Sequence, residues 1–506
     1  MSSIAATPKT GTFTKDFTAS IVVFLVAMPL CMGIAIASGV PAEKGLITGI
    51  IGGIVVGALA GSPLQVSGPA AGLAVIVFEI VRNQGLAALG PILLLAGLIQ
   101  VAAGYFKLGG WFRAISPAVV HGMLAGIGLL IVVGQYHVLF DEAPLANGLD
   151  NLAAMPARLL GLAPDQGGSA WPAFAVGLIT IGTMLGWEKF RPKSLKLVPG
   201  ALVGIVAATL AALILDLGVA RVAVPESLAA AIDLPTSQTW ASMLSASVIT
   251  TAIAIAFIAS AETLLSAAAV DRMHDGVRTD YNKELRAQGV GNFLCGAAGA
   301  LPMTGVIVRS SANVQAGAVT RASAILHGVW ILAAVAALPW LLREIPMAAL
   351  AGILVITGWR LVSLQHVKHL WHVYGLMPAL IWAGTFVMVV ATDLLTGVLT
   401  GLALSLLELV PHLKRLKLKV DSQEAPEGQH IRFDGAATFV ALPKASAALE
   451  NVERDRPVTL DLAKMDHVDH TFAEMLREWL ERRRRAGGEV IVLGQNDKIG
   501  RLLPAA

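Results

Sequence analysis

Long apolar segments separated by short polar ones fill most of the 506-residue chain. A membrane-spanning helix needs about 20 apolar residues, and fewer where the helix is interrupted or enclosed by protein. The pattern therefore predicts fourteen spans, at residues 17–37, 45–60, 66–81, 87–104, 117–137, 172–187, 197–216, 247–269, 287–299, 304–318, 322–341, 346–360, 374–391 and 394–411. The third and tenth are short and begin with turn residues, Ser67-Gly68-Pro69 and Pro302-Met303-Thr304-Gly305.

Composition supports a membrane protein. Hydrophobic residues make up 56% of the chain, charged residues 14%, and the mean hydropathy is +0.71, whereas a soluble domain carries about 25% charged residues. The net charge of +3 is too small to indicate nucleic-acid binding. The apolar run at 17–37 is too long for a signal peptide and lacks a cleavage site, so we interpret it as the first span. Cys31 and Cys295 are far apart and are interpreted as small apolar residues.

The distribution of Lys and Arg predicts which side of the membrane each loop faces. With residues 1–16 and the C-terminus in the cytoplasm, the cytoplasmic segments hold nineteen of these residues and the external segments hold five. If the number of spans is changed by one, the loops that follow change sides and the excess of Lys and Arg on the cytoplasmic side is lost. The bias favours an even number of spans, and we expect the inner membrane of a bacterium.

After residue 411 the composition becomes that of a soluble domain. Residues 412–429 contain the basic run KRLKLK and the polar stretch DSQEAPEGQ, and they are predicted to form a juxtamembrane linker. Alternating apolar and polar positions predict strands at residues 430–442, 457–465 and 488–494. An amphipathic helix lies between the last two strands, so residues 430–506 are predicted to form a small α/β domain.

The two interrupted spans suggest where the chemistry lies. Irregular backbone is stable in a bilayer only where protein or a water-filled cavity covers it, and transporters with inverted repeats pair such spans at the solute site. Two seven-span repeats would place the third span opposite the tenth. Facing helix N-termini present unpaired N–H groups and positive dipole ends, which favour an anion, and compact residues at Gly68, Ala70, Ala71, Gly305 and Val306 would let it approach. The alternative is that both motifs simply end loops at the membrane surface.

Two ionisable residues lie deep within predicted spans, where a charged group is costly and commonly functional. Arg309 follows the second interruption and could add positive charge behind an anion site. Glu262 lies in the middle of the eighth span, and an apolar environment favours the neutral form of a carboxyl group, which makes it a candidate for proton coupling. The two residues could also form an ion pair that stabilises the core, and the roles are compatible.

Histidines are a weaker signal. His366, His369 and His372 recur every three residues in a predicted cytoplasmic loop, and His467 and His470 lie beside aspartates. Either group could bind a metal or sense pH, but without a closed ligand set we interpret them as ordinary loop or strand-end residues. The sequence carries no nucleotide-binding loop, catalytic triad or zinc hydrolase motif, and we expect no enzyme, cofactor or metal site.

Several motifs resemble those of the SulP family of anion transporters, which includes sulfate, bicarbonate and dicarboxylate carriers. They are FLVAMPLCMGIAIASGVP (24–41), QVSGPAAGLAVIV (65–77), ASAETLLSAAAVDRM (259–273) and GALPMTGVIVRSSANVQAG (299–317), and LDLAKMDHVDHTFAEML (460–476) is similar to part of a STAS domain. The resemblance implies an all-α membrane domain of about fourteen spans (17–411), in two inverted seven-span repeats, followed by a STAS domain (430–506). It also implies a core domain (spans 1–4 and 8–11) that moves against a gate domain (spans 5–7 and 12–14), in a homodimer.

The resemblance places the substrate between the third and tenth spans. The residues then expected around the anion are Gly68, Pro69, Ala70, Ala71, Thr304, Gly305, Val306, Ile307 and Arg309. Glu262 matches an acidic position linked to ion coupling, with Ser266 one turn later. Sodium-coupled bicarbonate members tend to have Asp and two Thr at the corresponding positions, and the loss of these oxygen ligands favours a proton over sodium. His470 stands where STAS regulators carry a phosphorylatable residue, with Thr471 beside it, so phosphorylation is not expected.

We therefore expect a secondary active transporter of a small inorganic anion, with bicarbonate and sulfate as the leading candidates, that is proton-coupled and works by an elevator-like motion. The alternatives are a sodium-coupled bicarbonate or dicarboxylate symporter, an uncoupled anion conductor or exchanger, a carrier of neutral solutes such as nucleobases, and a signalling protein that acts through its C-terminal domain. The expected partners are the anion, a coupling proton (or Na⁺), the lipid bilayer and a second copy of the chain, but not nucleic acid.

Overall fold

A computed structural model describes residues 10–112, 116–145, 147–163, 167–195, 197–223, 228–271, 273–274, 276–409, 418–425, 428–450, 452, 456–485 and 487–494. The described helices are α1 (Thr10–Ala37), α2 (Ala42–Ile51), α3 (Gly57–Leu59), α4 (Ala74–Gln84), α5 (Leu89–Tyr105), α6 (Gly109–Phe112), α7 (Pro117–Val138), α8 (Gly148–Leu159), α9 (Ala170–Phe190), α10 (Gly200–Ile214), α11 (Ser237–Ser242), α12 (Ala246–Asp271), α13 (Tyr281–Ala297), α14 (Ile307–Gln315), α15 (Ala322–Ala337), α16 (Pro339–Leu342), α17 (Met347–Leu361), α18 (Leu364–Tyr374), α19 (Leu376–Ala391), α20 (Leu394–Leu409), α21 (Leu442–Glu450) and α22 (His470–Arg485). The described strands are β1 (Ser67–Pro69), β2 (Met303–Gly305), β3 (Leu418–Ala425), β4 (Gly428–Ala437), β5 (Val458–Val468) and β6 (Val490–Leu493).

The predicted spans correspond to helices, and the third and tenth each correspond to a short strand followed by a helix. Among the described residues, six helical stretches are long and apolar enough to cross a membrane, at Thr12–Ala37, Ala42–Leu59, Leu86–Tyr105, Pro117–Val138, Ala170–Phe190 and Ala246–Asp271. Shorter apolar helices include α10, α15, α17 and α19. The helical class of the membrane region is confirmed, and the number of crossings stays a prediction.

Glycines set the packing between α5 and α13. A Cβ atom on Gly97 would lie 2.4 Å from the backbone nitrogen of Phe293, and one on Gly289 would lie 2.6 Å from that of Val101. Small residues at helix–helix contacts are typical of membrane bundles, because van der Waals packing between close backbones replaces the hydrophobic effect there.

A π-helical segment, Gly52–Val56, joins α2 to α3. A Cβ atom on Gly52 would lie 2.7 Å from the carbonyl oxygen of Ser67, so this helix passes directly against β1. Such π segments are frequent near functional sites.

The chain divides into two compact units. The first comprises residues 1–107 and 127–362, and the second comprises residues 108–126 and 363–506. The second unit thus joins α18, α19 and α20 to the C-terminal domain. The predicted domains at 17–411 and 430–506, and the predicted core and gate, stay predictions.

The packing of α7 explains why the division into units falls within this helix. In its first half, a Cβ atom on Gly122 would lie 2.6 Å from the carbonyl oxygen of Trp382 in α19. In its second half, a Cβ atom on Gly128 would lie 2.4 Å from the carbonyl oxygen of Gly358 in α17. One predicted gate helix therefore contributes its two halves to different units.

The C-terminal region is a four-stranded sheet in the order β3-β4-β5-β6, in which β3 pairs antiparallel with β4 and the other neighbours pair in parallel. Phe433 and Leu460 of the sheet share a buried core with Phe472 of α22. A small α/β architecture is therefore present, as the alternating pattern indicates.

Two details of this region were predicted wrongly. Residues 418–425, assigned to the linker, form β3, because Leu418 and Val420 alternate inward onto the sheet core while Lys419 and Asp421 face outward. Residues 412–417 lie outside the described part. His369 and His372, assigned to a loop, lie on the helix α18.

A buried polar cluster marks the start of α22. Asp469 accepts hydrogen bonds from the backbone N–H groups of Phe472 (2.7 Å) and Phe439 (2.6 Å), which caps the helix. His470 is buried, with Nε2 at 2.8 Å from Ser116 Oγ and Nδ1 at 3.4 Å from Glu408 Oε2. His470 is therefore not an ordinary loop residue, since it links the α/β domain to helical segments of the same unit.

Candidate anion site

The two interrupted segments meet. β1 and β2 form a two-stranded antiparallel ladder, in which Gly68 is paired with Thr304, flanked by the pairs Ser67–Gly305 and Pro69–Met303. The residues of both strands are buried. The predicted juxtaposition of the third and tenth segments is confirmed, and the alternative of two separate surface loops is excluded.

A helix begins immediately after each strand. A 3₁₀ turn at Ala71–Leu73 leads into α4, and α14 begins at Ile307. The preceding residues, Ala70 and Val306, are extended and supply no side-chain cap, so the first N–H groups have no acceptor within their helices.

The direction of the strands determines where these N–H groups point. Because β1 and β2 are antiparallel, α4 and α14 leave the ladder at opposite ends. A strand of three residues is about 10 Å long, since each residue rises about 3.4 Å, and this length separates the two helix starts. The N–H groups of a helix point toward its start, so both sets are directed back toward the ladder. Each partly buried helix start favours an anion by up to about 2 kcal/mol.

Side chains of α12 and α13 hold the ladder in place. The Nε2 of Gln288 donates to Ser67 Oγ at 2.6 Å. The amide of Asn292 donates to the carbonyl oxygen of Met303 (3.1 Å) and accepts from its N–H group (2.8 Å). The N–H group of Gly305 donates to Thr263 Oγ1 at 3.1 Å. Backbone groups of an isolated ladder are thereby satisfied without water.

Sequence reasoning missed these supporting residues. Glu284, Gln288 and Asn292 recur at intervals of four on α13, which places them on one face of the helix. Glu284 accepts from the N–H groups of Gly61 (2.8 Å) and Ser62 (2.9 Å). The available signal was the pair of polar residues Gln288 and Asn292 within the predicted span 287–299.

Arg309 lies on one face of the ladder. Its side chain is fully buried, and a Cβ atom on Gly68 would lie 2.1 Å from its Nη1. Directly paired residues share a face of a ladder, so Thr304 points to the side of Gly68 that Arg309 occupies.

The charge of Arg309 is poorly compensated. Its Nη1 donates to Cys31 Sγ at 3.3 Å, whereas Nε and Nη2, like the hydroxyl of Thr304, have no hydrogen-bond partner in the part of the chain that the structure describes. Cys31 is thus not simply an apolar residue. Burying an unpaired charge costs several kcal/mol, which suggests that an anion supplies the compensation.

Glu262 lies beside the turn that follows β1. A Cβ atom on Gly72, in the turn after β1, would lie 2.6 Å from Glu262 Oε2. This oxygen is enclosed without a hydrogen-bond partner among the described residues, and Ser266 is buried one turn further along α12. Within the same described part, no ion pair joins Glu262 to Arg309, so the predicted locking pair is not formed.

The predicted site residues divide by exposure. Those enclosed behind and within the ladder are Gly68, Pro69, Ala70, Thr304, Gly305 and Arg309. Those partly or largely exposed are Ala71, Glu262, Val306 and Ile307. The open side of the site is therefore formed by the two helix starts and Glu262, with the guanidinium of Arg309 behind the ladder.

The histidines form no metal centre in the described part of the chain, where no group of three or more His, Cys, Asp or Glu side chains could hold an ion. The side chains of His366 and His467 lie outside the described residues.

Comparisons with known proteins agree with this geometry. The Sulfate permease family matches residues 13–385. The putative sulfate transporter YvdB of Bacillus subtilis is 30% identical over 97% of this chain and 93% of its own. The bicarbonate transporter BicA of Synechocystis is 25% identical over 96% of this chain and 89% of its own.

Two solved structures share the fold. The transmembrane domain of a cyanobacterial bicarbonate transporter, BicA, aligns with 77% of this chain and 98% of its own at a TM-score of 0.65 and 24% identity. SLC26A9 aligns with 97% of this chain and 86% of its own at a TM-score of 0.69 and 16% identity.

The apolar helices and the transporters among its relatives identify the chain as a multi-pass membrane transporter rather than an enzyme. The chain belongs to the sulfate permease family, whose pattern covers most of its length.

Proposed function

We propose that this protein is a secondary active transporter that carries a small inorganic anion, bicarbonate or sulfate, together with a proton. The observation that carries the proposal is the β1–β2 ladder, where two helix starts converge in front of a buried, unpaired guanidinium. The names of the relatives, a putative sulfate transporter and a bicarbonate transporter, agree with a compact oxyanion as substrate.

The anion would bind on the open side of the ladder. N–H groups at the starts of α4 and α14 would donate to its oxygens, and the backbone from Gly68 to Ala71 and from Thr304 to Ile307 would surround it. Arg309 would act through the ladder as a fixed positive charge. Two unit charges about 7 Å apart attract by about 2 kcal/mol at an effective dielectric constant of about 20, so its removal should weaken binding by roughly thirtyfold.

Glu262 would couple anion transport to a proton. Its carboxyl group lies against the turn that begins the α4 side of the site, so an ionised Glu262 would repel a bound anion. Protonation removes this repulsion, and by linkage anion binding then favours protonation. Ser266 would help to hold the coupling ion. A sodium ion would need several oxygen ligands, and Thr263 Oγ1 already accepts from Gly305.

The remaining architecture follows the same proposal. It comprises fourteen crossings in two inverted repeats, cytoplasmic termini in a bacterial inner membrane, a STAS domain at 430–506, a homodimer and elevator-like movement of the part that holds the ladder. The four-stranded mixed sheet with α21 and α22 supports the STAS assignment.

Uptake into proteoliposomes tests this function. Purified protein is reconstituted, and uptake of labelled sulfate, bicarbonate and fumarate is followed under an imposed proton or sodium gradient, with protein-free liposomes as control. Sulfate is the cleaner probe, because acid converts bicarbonate to membrane-permeant carbon dioxide. We expect an inward proton gradient to accelerate sulfate or bicarbonate uptake. Acceleration by sodium alone supports the sodium-coupled alternative, indifference to both gradients supports an uncoupled conductor, and no uptake contradicts the proposal.

A further inference from the structure

Within the described part of the chain, Cys31 of α1 is the one residue that accepts a hydrogen bond from the guanidinium of Arg309. Both side chains are fully buried, and the Nη1–Sγ distance is 3.3 Å. A Cβ atom on Gly49 would lie only 2.7 Å from Sγ. The thiol is therefore packed against a glycine of α2 as well as against the guanidinium.

The same guanidinium nitrogen also contacts β1. A Cβ atom on Gly68 would lie 2.1 Å from Nη1, so Nη1 touches both the sulfur of Cys31 and the backbone of β1. One side chain and one glycine therefore contribute to the position of the charge relative to the ladder. The unpartnered Nε and Nη2 of the fully buried Arg309 show that this charge is left for another group.

The chemistry of the thiol suits this position. Sulfur is a weak hydrogen-bond acceptor, so it orients an N–H group without neutralising the cation. A carboxylate at the same place would form a charge-assisted pair with the guanidinium and would cancel the positive potential that reaches the ladder.

We propose that Cys31 is a positioning residue of the anion site, which holds the guanidinium of Arg309 against the ladder while leaving its charge available to the substrate. This proposal rests on the proposed function, because the positioned charge matters only if an anion binds there.

The test measures sulfate uptake and sulfate affinity for four proteins: wild type, Cys31→Ala, Cys31→Ser and Cys295→Ala. Cys295 is the matched control, since it is equally buried, contacts Thr48 and makes no described contact with Arg309. We expect Cys31→Ala to raise KM and Kd about five- to tenfold, the loss typical of one ordinary hydrogen bond because sulfur is a weak acceptor, with maximal rate within about twofold. Cys31→Ser, which keeps an acceptor, should restore most of the affinity, and Cys295→Ala should bind as wild type does.

The double variant Cys31→Ala with Arg309→Ala separates positioning from general damage. If Cys31 acts through Arg309, Cys31→Ala should cause no further loss of sulfate affinity in a protein that already carries Arg309→Ala. Equal affinity of Cys31→Ala and wild type, or an unchanged Cys31→Ala effect in the Arg309→Ala background, would overturn the role of Cys31. Absence of anion binding by the wild type would instead contradict the proposed function.

Discussion

Gly72 lies directly against the carboxyl group of Glu262, with room for no side-chain carbon: a Cβ atom at residue 72 would be 2.6 Å from Oε2 and 2.9 Å from Oε1. The contact joins the acidic residue of α12 to the turn that leads from β1 into α4. On the proposed mechanism, protonation of Glu262 and binding of an anion at the start of α4 would take place next to each other, so each would affect the free energy of the other.

Glu262→Gln should abolish the stimulation of anion uptake by an inward proton gradient. The amide has nearly the same shape as a protonated carboxyl group but cannot release a proton, so the anion should still bind. We expect sulfate Kd within about threefold of wild type and intact counterflow exchange at equal pH on both sides. Full stimulation by the proton gradient in the variant would remove Glu262 from the coupling mechanism.

Gly68→Ala should displace the guanidinium of Arg309, because the new methyl group would overlap Nη1. We expect sulfate affinity to fall at least tenfold, approaching that of Arg309→Ala. Gly182→Ala in α9 is the matched control, since no atom lies within 4 Å of a Cβ placed there. Equal affinities of the two glycine variants would contradict the placement of the charge against β1.

Asn292→Ala should destabilise the fold around the ladder. The substitution leaves the N–H and carbonyl groups of Met303 without their side-chain partner, and each buried unsatisfied group costs about 1–3 kcal/mol. Thermal unfolding in detergent should show a clear fall in Tm. Asn147→Ala, which removes only an exposed bond to Asp150, should leave Tm within about 1 °C, and similar losses in both variants would argue against a supporting role for α13.

Asp469 should make the C-terminal domain more stable as the pH falls toward 4. Burial raises the pKa of this carboxyl group from 3.8 to about 6, although two N–H groups donate to it. The folded state therefore binds a proton more tightly than the unfolded chain, so the contribution of this group to the free energy of unfolding is largest below about pH 4. That contribution is lost as the pH rises through about 6.

Hydrogen exchange at the start of α22 measures this effect in the full-length protein. Between pH 7 and pH 5, after correction for intrinsic exchange, protection in wild type should rise relative to Asp469→Asn by an amount equivalent to about 1 kcal/mol. The Asn variant subtracts the pH response of all other groups. Parallel profiles for the two proteins would show that Asp469 does not titrate in this range.

Apolar run lengths predicted the helices well, and turn chemistry at Ser67 and Pro302 correctly indicated the two interruptions. The length of an apolar segment reflects how much of it is buried in lipid or protein, so it predicts helices such as α1 and α12. It carries no information on which helices pack together in one compact unit. The strand β3 was missed because Lys419, Asp421 and Glu424 conceal the inward alternation of Leu418 and Val420.

The detailed contacts of the site were beyond sequence reasoning. The register between Gly68 and Thr304 joins distant parts of the chain through backbone groups that every residue carries. Arg309 and Glu262 were recognised because buried charges are costly. Only the structure shows that Arg309 contacts Gly68 and that Glu262 contacts Gly72, rather than the two charged residues contacting each other. Cys31 was interpreted as an apolar residue, because only the structure shows that an N–H group of Arg309 faces its thiol.

The central claim is that the ladder and the guanidinium behind it bind an anion, and calorimetric titration of sulfate in a gluconate buffer tests it most directly. Wild type should bind sulfate at a single site, Arg309→Lys should keep part of the affinity, and Arg309→Ala should lose at least tenfold. Equal affinity of wild type and Arg309→Ala would contradict the account.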